Sequence, residues 1–332
     1  MMTNLSPHLS TFLREYLPLE RGASPQTCET YAYSYQLLVC YAARRFKIQP
    51  SELTIEVLDA RLIVDFLNHL EQERGNTPRT RNARMAAIKA FFRFLEYRDV
   101  SCLEQSRRIH AIPMKKTDEK LICHLSQNEM KSLLNAPDTN TQSGIRDRAM
   151  LHLCLTTGLR VSELIGLCLS QLELHPHPTI HVIGKGRRER ILPLWKETTD
   201  VLQAWIALRP CSTVVPELFL NARNVAMTRS GFEYILSKHV KTACLTSSSI
   251  AEKKISPHVL RHTCAMNTLR ATHDVRKVSL WLGHADLKST EIYLRADPSE
   301  KLAILMADVP PGLRQGRFKA PDKLLEMLRV RN

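Results

Sequence analysis

Through residues 10–98 apolar side chains recur at three- and four-residue intervals, a period that predicts packed helices. Ser24-Pro25 supplies an N-cap followed by proline at the first helical position. A helix is therefore expected through Tyr31, Tyr35, Leu38 and Tyr41. A second is expected from about Val57 to Leu70, and a third from Thr80 to Tyr97. The third carries Met85, Ile88, Phe92 and Leu95 on one stripe, with Arg81, Arg84 and Lys89 along its other side. A solvated face is the plain reading of those three cations, and contact with nucleic-acid phosphates is the alternative.

Between Ser101 and Lys120 the period is lost and charge rises, with Arg107-Arg108 and Lys115-Lys116. This stretch reads as a linker. The helical period resumes with Ser126-Gln127-Asn128-Glu129, a capping box, and Leu125 with Met130 can form its hydrophobic staple. Another helix is expected from about Ile145 to Leu155. Two extended stretches, Thr179 to Ile183 and Arg190 to Leu194, flank Gly184-Lys185-Gly186, which predicts a hairpin with a basic tip. Everything after Val201 reads as helical, and no internal repeat is present. The expected fold is mainly α with a small antiparallel β-sheet, in two domains: residues 1–108 helical and residues 123–308 mixed α+β. Residues 109–122 join them, and residues 309–332 form a tail with Leu324, Leu325 and Leu328 on one side.

At 332 residues the chain is long enough to bury two cores. No apolar run approaches the ~20 residues of a membrane helix, and Met1 to Ser10 lacks the pattern of a secretory leader. Nine cysteines are scattered without a Cys-x-x-Cys pair, which fits reduced thiols in the cytoplasm. The net charge of +14 suggests a polyanionic partner, most simply nucleic acid. It is unevenly spread, +3 in residues 1–110 and +11 in residues 111–332.

The candidate chemistry lies in that more basic part. Arg160 follows a glycine turn and opens a helical pattern, Thr157-Gly158-Leu159-Arg160-Val161-Ser162-Glu163-Leu164, where its fork and nearby helix amides suit a phosphate. Taken alone, such an arginine is more often a salt-bridge partner. His258, Arg261 and His262 fall at i, i+3 and i+4 after Ser256-Pro257, on one helical face. An arginine between two histidines disfavours a metal and suits a phosphate. His284 projects from a turn capped by Gly283, and Tyr293 lies nine residues on. A lone tyrosine on a helix is normally a packing residue. His175-Pro176-His177-Pro178 reads as a loop, not a metal site.

In this order, with Lys185 at the hairpin tip, the set Arg…Lys…His-x-x-Arg…His…Tyr resembles the tyrosine recombinases of the phage integrase family, Xer- and Cre-like enzymes among them. The resemblance is strong over residues 126–297 and looser over the N-terminal helices. It departs in a Ser- and Lys-rich run at 246–254 and a long tail after Pro298. It implies a core-binding, SAM-like first domain and a catalytic second domain. It also implies a site-specific DNA recombinase or integrase that works through a 3′-phosphotyrosine and a Holliday junction, with no cofactor, metal or ATP. The implied catalytic set is Arg160, Lys185, His258, Arg261, His284 and Tyr293. Tyr293 would be the nucleophile, Lys185 the acid for the departing 5′-hydroxyl, and His258 an aid to proton transfer. Arg187 and Arg188 join Arg81, Arg84 and Lys89 as expected DNA contacts. The partner implied is double-stranded DNA bearing recombination sites, bound by a homotetramer on two duplexes, with the tail exchanged between protomers. Two other readings stand beside this one: a type IB topoisomerase-like enzyme, and a non-catalytic DNA-binding protein on the same fold.

Overall fold

The computed structural model describes residues 3–118, 121–184, 188–210, 215–284 and 287–296. The chain divides into two compact units, Met1–Glu119 and Lys120–Asn332.

In the first unit α1 (Leu5–Thr11) runs into a π-helical stretch, Phe12–Glu20. There follow α2 (Pro25–Phe46), α3 (Ala60–Gln72), α4 (Pro78–Glu96) and α5 (Leu103–Ala111). Each long helix starts where a short polar side chain accepts from the first turn. Ser24 takes Thr27 N–H at 3.3 Å, Asp59 takes Leu62 N–H at 2.7 Å and Thr77 takes Thr80 N–H at 3.3 Å. The core is aromatic: Phe12 meets the rings of Tyr35, Phe91 and Phe94 at centroid distances of 6.1, 5.3 and 5.3 Å. The stripe of Met85, Ile88, Phe92 and Leu95 is fully buried, as its period requires.

The reading of Ser101 to Lys120 as linker is corrected in its first half, whereas the expected helical domain of residues 1–108 takes in most of the helix found there. Residues 103–111 form α5, which belongs to the helical unit. Its anchor is one apolar residue, the buried Ile109, aided by Gln105, whose Nε2 donates to the carbonyls of Ile55 (2.7 Å) and Leu58 (3.0 Å).

The second unit contains α6 (Gln127–Leu134), α7 (Gln142–Thr157) and the short α8 (Val161–Ile165). Next come β1 (Leu172–Glu173), β2 (Thr179–Ile183) and β3 (Glu189–Pro193), an antiparallel sheet in the order β1-β2-β3. Then follow α9 (Lys196–Leu208), α10 (Arg229–Ala243), α11 (Pro257–Thr272), α12 (Val275–Leu282) and α13 (Lys288–Ala296). The β2–β3 register runs from Thr179 opposite Pro193 to Ile183 opposite Glu189. Ile180, Val182 and Leu192 face the core while Ile183 and Ile191 face outward, the period-two pattern of a sheet covered on one side.

Residues 215–228 depart from the expected run of helix. Glu217 bridges Cys168, and Leu220 bridges Ala226. The buried Arg209 holds this extended path by donating from Nη2 to the carbonyls of Val215 (2.6 Å) and Glu217 (2.8 Å). The run at 246–254 also has a structural use. Lys253 Nζ donates to Glu129 Oε2 (2.6 Å) and Ser249 Oγ to its Oε1 (2.7 Å), so the capping-box carboxylate is buried with partners on both oxygens.

Candidate active site

The site is assembled where the ends of α7 and α12 and the start of α8 meet α11 and α13. α7 stops at Gly158, whose φ of +64° lies in the left-handed region. A Cβ at that position would stand 2.6 Å from Leu282 Cδ2 and 3.1 Å from Cys264 Sγ, so the ends of α7 and α12 and the middle of α11 approach this closely only over a glycine. The chain then turns, and Arg160 becomes the N-cap of α8.

Arg160 is tied to Glu163 three residues on. Its backbone N–H donates to Oε2 at 2.9 Å and its Nη1 to Oε1 at 2.8 Å. The same carboxylate receives Arg190 from β3, Nη2 to Oε2 at 2.7 Å and Nη1 to Oε1 at 3.3 Å. Burial alone would raise the Glu163 pKa, but the hydrogen bond and charge of Arg190, with those of Arg160, outweigh it and hold the group below its ordinary value.

Arg261, on α11, is buried, and its guanidinium donates to the carbonyls of Gly158, through Nη1, and Leu282, through Nη2 at 2.8 Å. These are carbonyls at the ends of α7 and α12, which lack partners in their own helices. Burial, then the nearby charge of Arg160, lowers the Arg261 pKa to about 10, so it remains a cation at neutral pH.

α12 ends in Gly283, also at φ +64°, and His284 follows with Nδ1 2.7 Å from Thr290 Oγ1. The His284 ring lies nearly parallel to that of Tyr293, 12° apart with centroids 6.3 Å apart. Tyr293, on α13, is only 1% exposed, and its hydroxyl is 3.0 Å from His262 Nδ1. Burial raises its pKa to about 12, while the charges of Arg261 and Arg160 pull it down. His262 in turn is lowered to about 4 by burial, then by His258 and Arg261, so it is neutral at pH 7 and able to accept from the phenol.

Of the expected residues, the structure thus brings Arg160, Arg261, His284 and Tyr293 into one electrostatic neighbourhood. His258 lies exposed on the first turn of α11, one turn before the histidine that meets Tyr293. Lys185 and Arg187 lie outside the described residues, as do residues 297–332. Arg188 is exposed beside the hairpin, where its carbonyl accepts from Gly184 N–H at 2.8 Å. In the first unit Arg81 is buried, with Nε 3.5 Å from Glu71. Lys89 donates to the carbonyls of His110 (2.9 Å) and Ile112 (2.7 Å), closing the end of α5. Arg84 donates to Ser34 Oγ at 2.9 Å and lies over the exposed ring of Tyr33, 4.8 Å from its centroid. His262, Glu163 and Arg190 were not among the expected site residues. The i, i+4 spacing from His258 was a signal for the first, and the capping position three residues after Arg160 for the second. Nothing local marks Arg190. Among the described residues no cluster of three His, Cys, Asp or Glu side chains is arranged to hold a metal.

With this geometry in place, the family follows from comparison. Residues 123–300 match the phage integrase family and residues 11–99 the phage integrase N-terminal SAM-like domain. The chain belongs to the phage integrase family, with the mainly helical two-domain fold that its sequence implied. It is 39% identical to a putative integrase/recombinase, y4rC, of Sinorhizobium fredii over 325 residues, 98% of each chain. It is 35% identical to the tyrosine recombinase XerC of Pelotomaculum thermopropionicum over 294 residues, 86% of this chain and 92% of the relative. Among solved structures it resembles a XerH site-specific recombinase bound to a palindromic difH substrate, with TM-score 0.67 and 22% identity over 90% of this chain and 85% of that one. It also resembles the Tn1549 transposon integrase in complex with a circular intermediate DNA, at TM-score 0.67 and 17% identity over 91% and 100%. At these identities the structural likenesses establish the shared fold.

Proposed function

We propose that this protein is a site-specific recombinase that cuts and rejoins double-stranded DNA through a transient link between Tyr293 and a 3′-phosphate. The observation that carries the reading is the gathering of Arg160, Arg261 and His284 about one tyrosine that feels the charge of both arginines.

In the proposed step the Tyr293 oxygen attacks a backbone phosphorus, and the bond from phosphorus to the 5′-oxygen breaks. Negative charge grows on the non-bridging oxygens in the five-coordinate transition state. Arg160 and Arg261 oppose it without losing protons, and His284 adds a donor. The tyrosine proton must leave, because a buried phenol raised to about 12 is a weak nucleophile. His262 is hydrogen-bonded to that hydroxyl and neutral. It hands the proton on towards the exposed His258, the histidine that the family pattern singles out. Lys185 on the hairpin protonates the departing 5′-oxygen, a role that rests on the resemblance.

The phosphotyrosine ester conserves the energy of the broken bond, so a 5′-hydroxyl from a second strand reverses the step without ATP. Exchange of two strand pairs passes through a Holliday junction. The cations that stabilise the transition state are side chains, so the scheme uses no metal. A homotetramer on two duplexes, linked by the C-terminal tail, completes the proposal. Arg187 and Arg188 at the hairpin and Arg84 beside Tyr33 are the cations assigned to the DNA backbone. Arg81 and Lys89 already have partners inside the first unit.

The test is to select binding duplexes from a random-sequence pool, place nicks in them so that the released strand diffuses away, and look for a denaturation-resistant adduct. Wild type is expected to form one without metal or ATP, and Tyr293→Phe to bind equally but form none. Salt-sensitive binding with no adduct would overturn the enzymatic reading. An adduct that survives Tyr293→Phe would overturn the choice of nucleophile, and relaxation of supercoils without strand exchange would favour the topoisomerase-like activity.

A further inference from the structure

One guanidinium ties β3 to α8 and lies against Gly184 and Gly283, yet the family pattern gives it no part. Arg190 stands on β3 with its side chain only 9% exposed. Its two Nη atoms grip the two oxygens of Glu163, on the helix that Arg160 caps. The same Nη1 would lie 3.2 Å from a Cβ at Gly184, where the hairpin begins, and 3.0 Å from one at Gly283, just before His284. The two glycines therefore make room for this side chain.

The electrostatics give that placement a purpose. Glu163 is a buried carboxylate that two arginines share, and Arg160 meets it through a single guanidinium nitrogen. A buried carboxylate attracts whatever cation remains within reach. Were Arg190 neutral, Glu163 would draw the flexible Arg160 fork into a paired contact and away from a phosphate. A forked cation that fills both oxygens prevents this, whereas a lysine would satisfy only one at a time.

We propose that Arg190 is a positioning residue: by occupying the Glu163 carboxylate it keeps the Arg160 guanidinium available to the scissile phosphate, and it fixes the turn that carries His284. This inference rests on the recombinase reading above, and it adds a residue to the machinery that acts only through others.

The measurement is the single-turnover rate of adduct formation at saturating DNA. It is made on a natural phosphodiester and on a duplex whose scissile phosphate is a methylphosphonate, which carries no negative charge. Arg190→Met is expected to slow adduct formation on the phosphodiester about 100-fold, the scale of a misplaced catalytic group, with DNA affinity changed less than about twofold. On the methylphosphonate, where the Arg160 charge has less to stabilise, the same substitution is expected to matter less than about fivefold. Removing the attracting charge as well, in Glu163→Gln/Arg190→Met, is expected to recover at least about tenfold of the lost rate. Arg190→Lys, which keeps a cation in the pocket, is expected to fall between wild type and Arg190→Met. It is the variant to read should the methionine variant fail to fold. An equal loss on both substrates, or no recovery in the double variant, would reduce Arg190 to a strut and overturn the proposal. Weakened binding with an unchanged rate at saturation would overturn it in favour of a direct DNA contact. A wild-type protein that forms no adduct would remove the recombinase reading and this inference with it, whereas an active wild type with no rescue removes this inference alone.

Discussion

Replacing Gly158 by alanine adds one methyl group at the point where α7, α11 and α12 converge. The backbone there has φ +64°, a conformation that costs an L-residue about 1–2 kcal/mol. The methyl carbon would also stand 2.6 Å from Leu282 Cδ2, 3.1 Å from Cys264 Sγ and 3.3 Å from Cys264 Cβ. Leu282 is fully buried, so its methyl group has little room to turn away, and overpacking of this kind adds about 1–3 kcal/mol. Together these predict a destabilisation of about 2–5 kcal/mol, which lowers the melting temperature of a unit this size by roughly 4–20 °C. Tryptophan fluorescence isolates the relevant transition, because Trp195, Trp205 and Trp281 all lie in the second unit. The carbonyl of Gly158 is also an acceptor for Arg261, so the surviving folded protein is expected to form adduct more slowly at a temperature well below its transition. A shift smaller than about 2 °C would refute the steric reasoning, since even the backbone cost alone exceeds it. A full shift with an unchanged rate would separate Arg261 geometry from this turn.

Two further outcomes follow from the described contacts. His262 is held at about 4, below its ordinary value, so between pH 6.5 and pH 4 the unfolded chain takes up a proton that the folded one refuses. Stability of the second unit is therefore expected to fall as pH drops through that window, and His262→Asn to flatten the slope. Parallel curves for the two proteins, read by tryptophan fluorescence, would contradict the burial of a neutral imidazole. Lys89→Met is expected to destabilise the helical unit by removing the donor to His110 and Ile112, and to leave the salt dependence of DNA binding unchanged. A log–log salt slope smaller by about 1 would instead make Lys89 a phosphate contact.

Helix starts were legible in the sequence because capping is a local affair. Ser24 and Ser126 bond to residues within their own first turn, and the pattern shows them without knowledge of the fold. The start of α4 was placed two residues late, at Thr80 instead of Pro78, where Thr77 caps the helix and proline takes its first position. α5 was read as linker because a single buried isoleucine among charges gives no period, and β1 is two residues long. The arginines, His284 and Tyr293 were legible as an ordered set. Arg190 was not, because its meaning lies in Glu163, twenty-seven residues away and on another element. The contact between His262 and Tyr293 spans thirty-one residues and was likewise invisible to spacing.

Arg261 closes the ends of two other helices with the same guanidinium that is assigned to the phosphate. Chemistry and architecture are therefore unequally separable in the descendants of such a chain. A lineage that gave up strand cleavage could lose the Tyr293 hydroxyl for little more than one hydrogen bond, roughly 0.5–1.5 kcal/mol. Losing Arg261 would leave two buried carbonyls without a donor and loosen three helices at once. Decay of activity is thus expected to begin at the tyrosine and to spare the arginine, so that a chain with Arg261 but no Tyr293 would be a folded relic that still binds DNA.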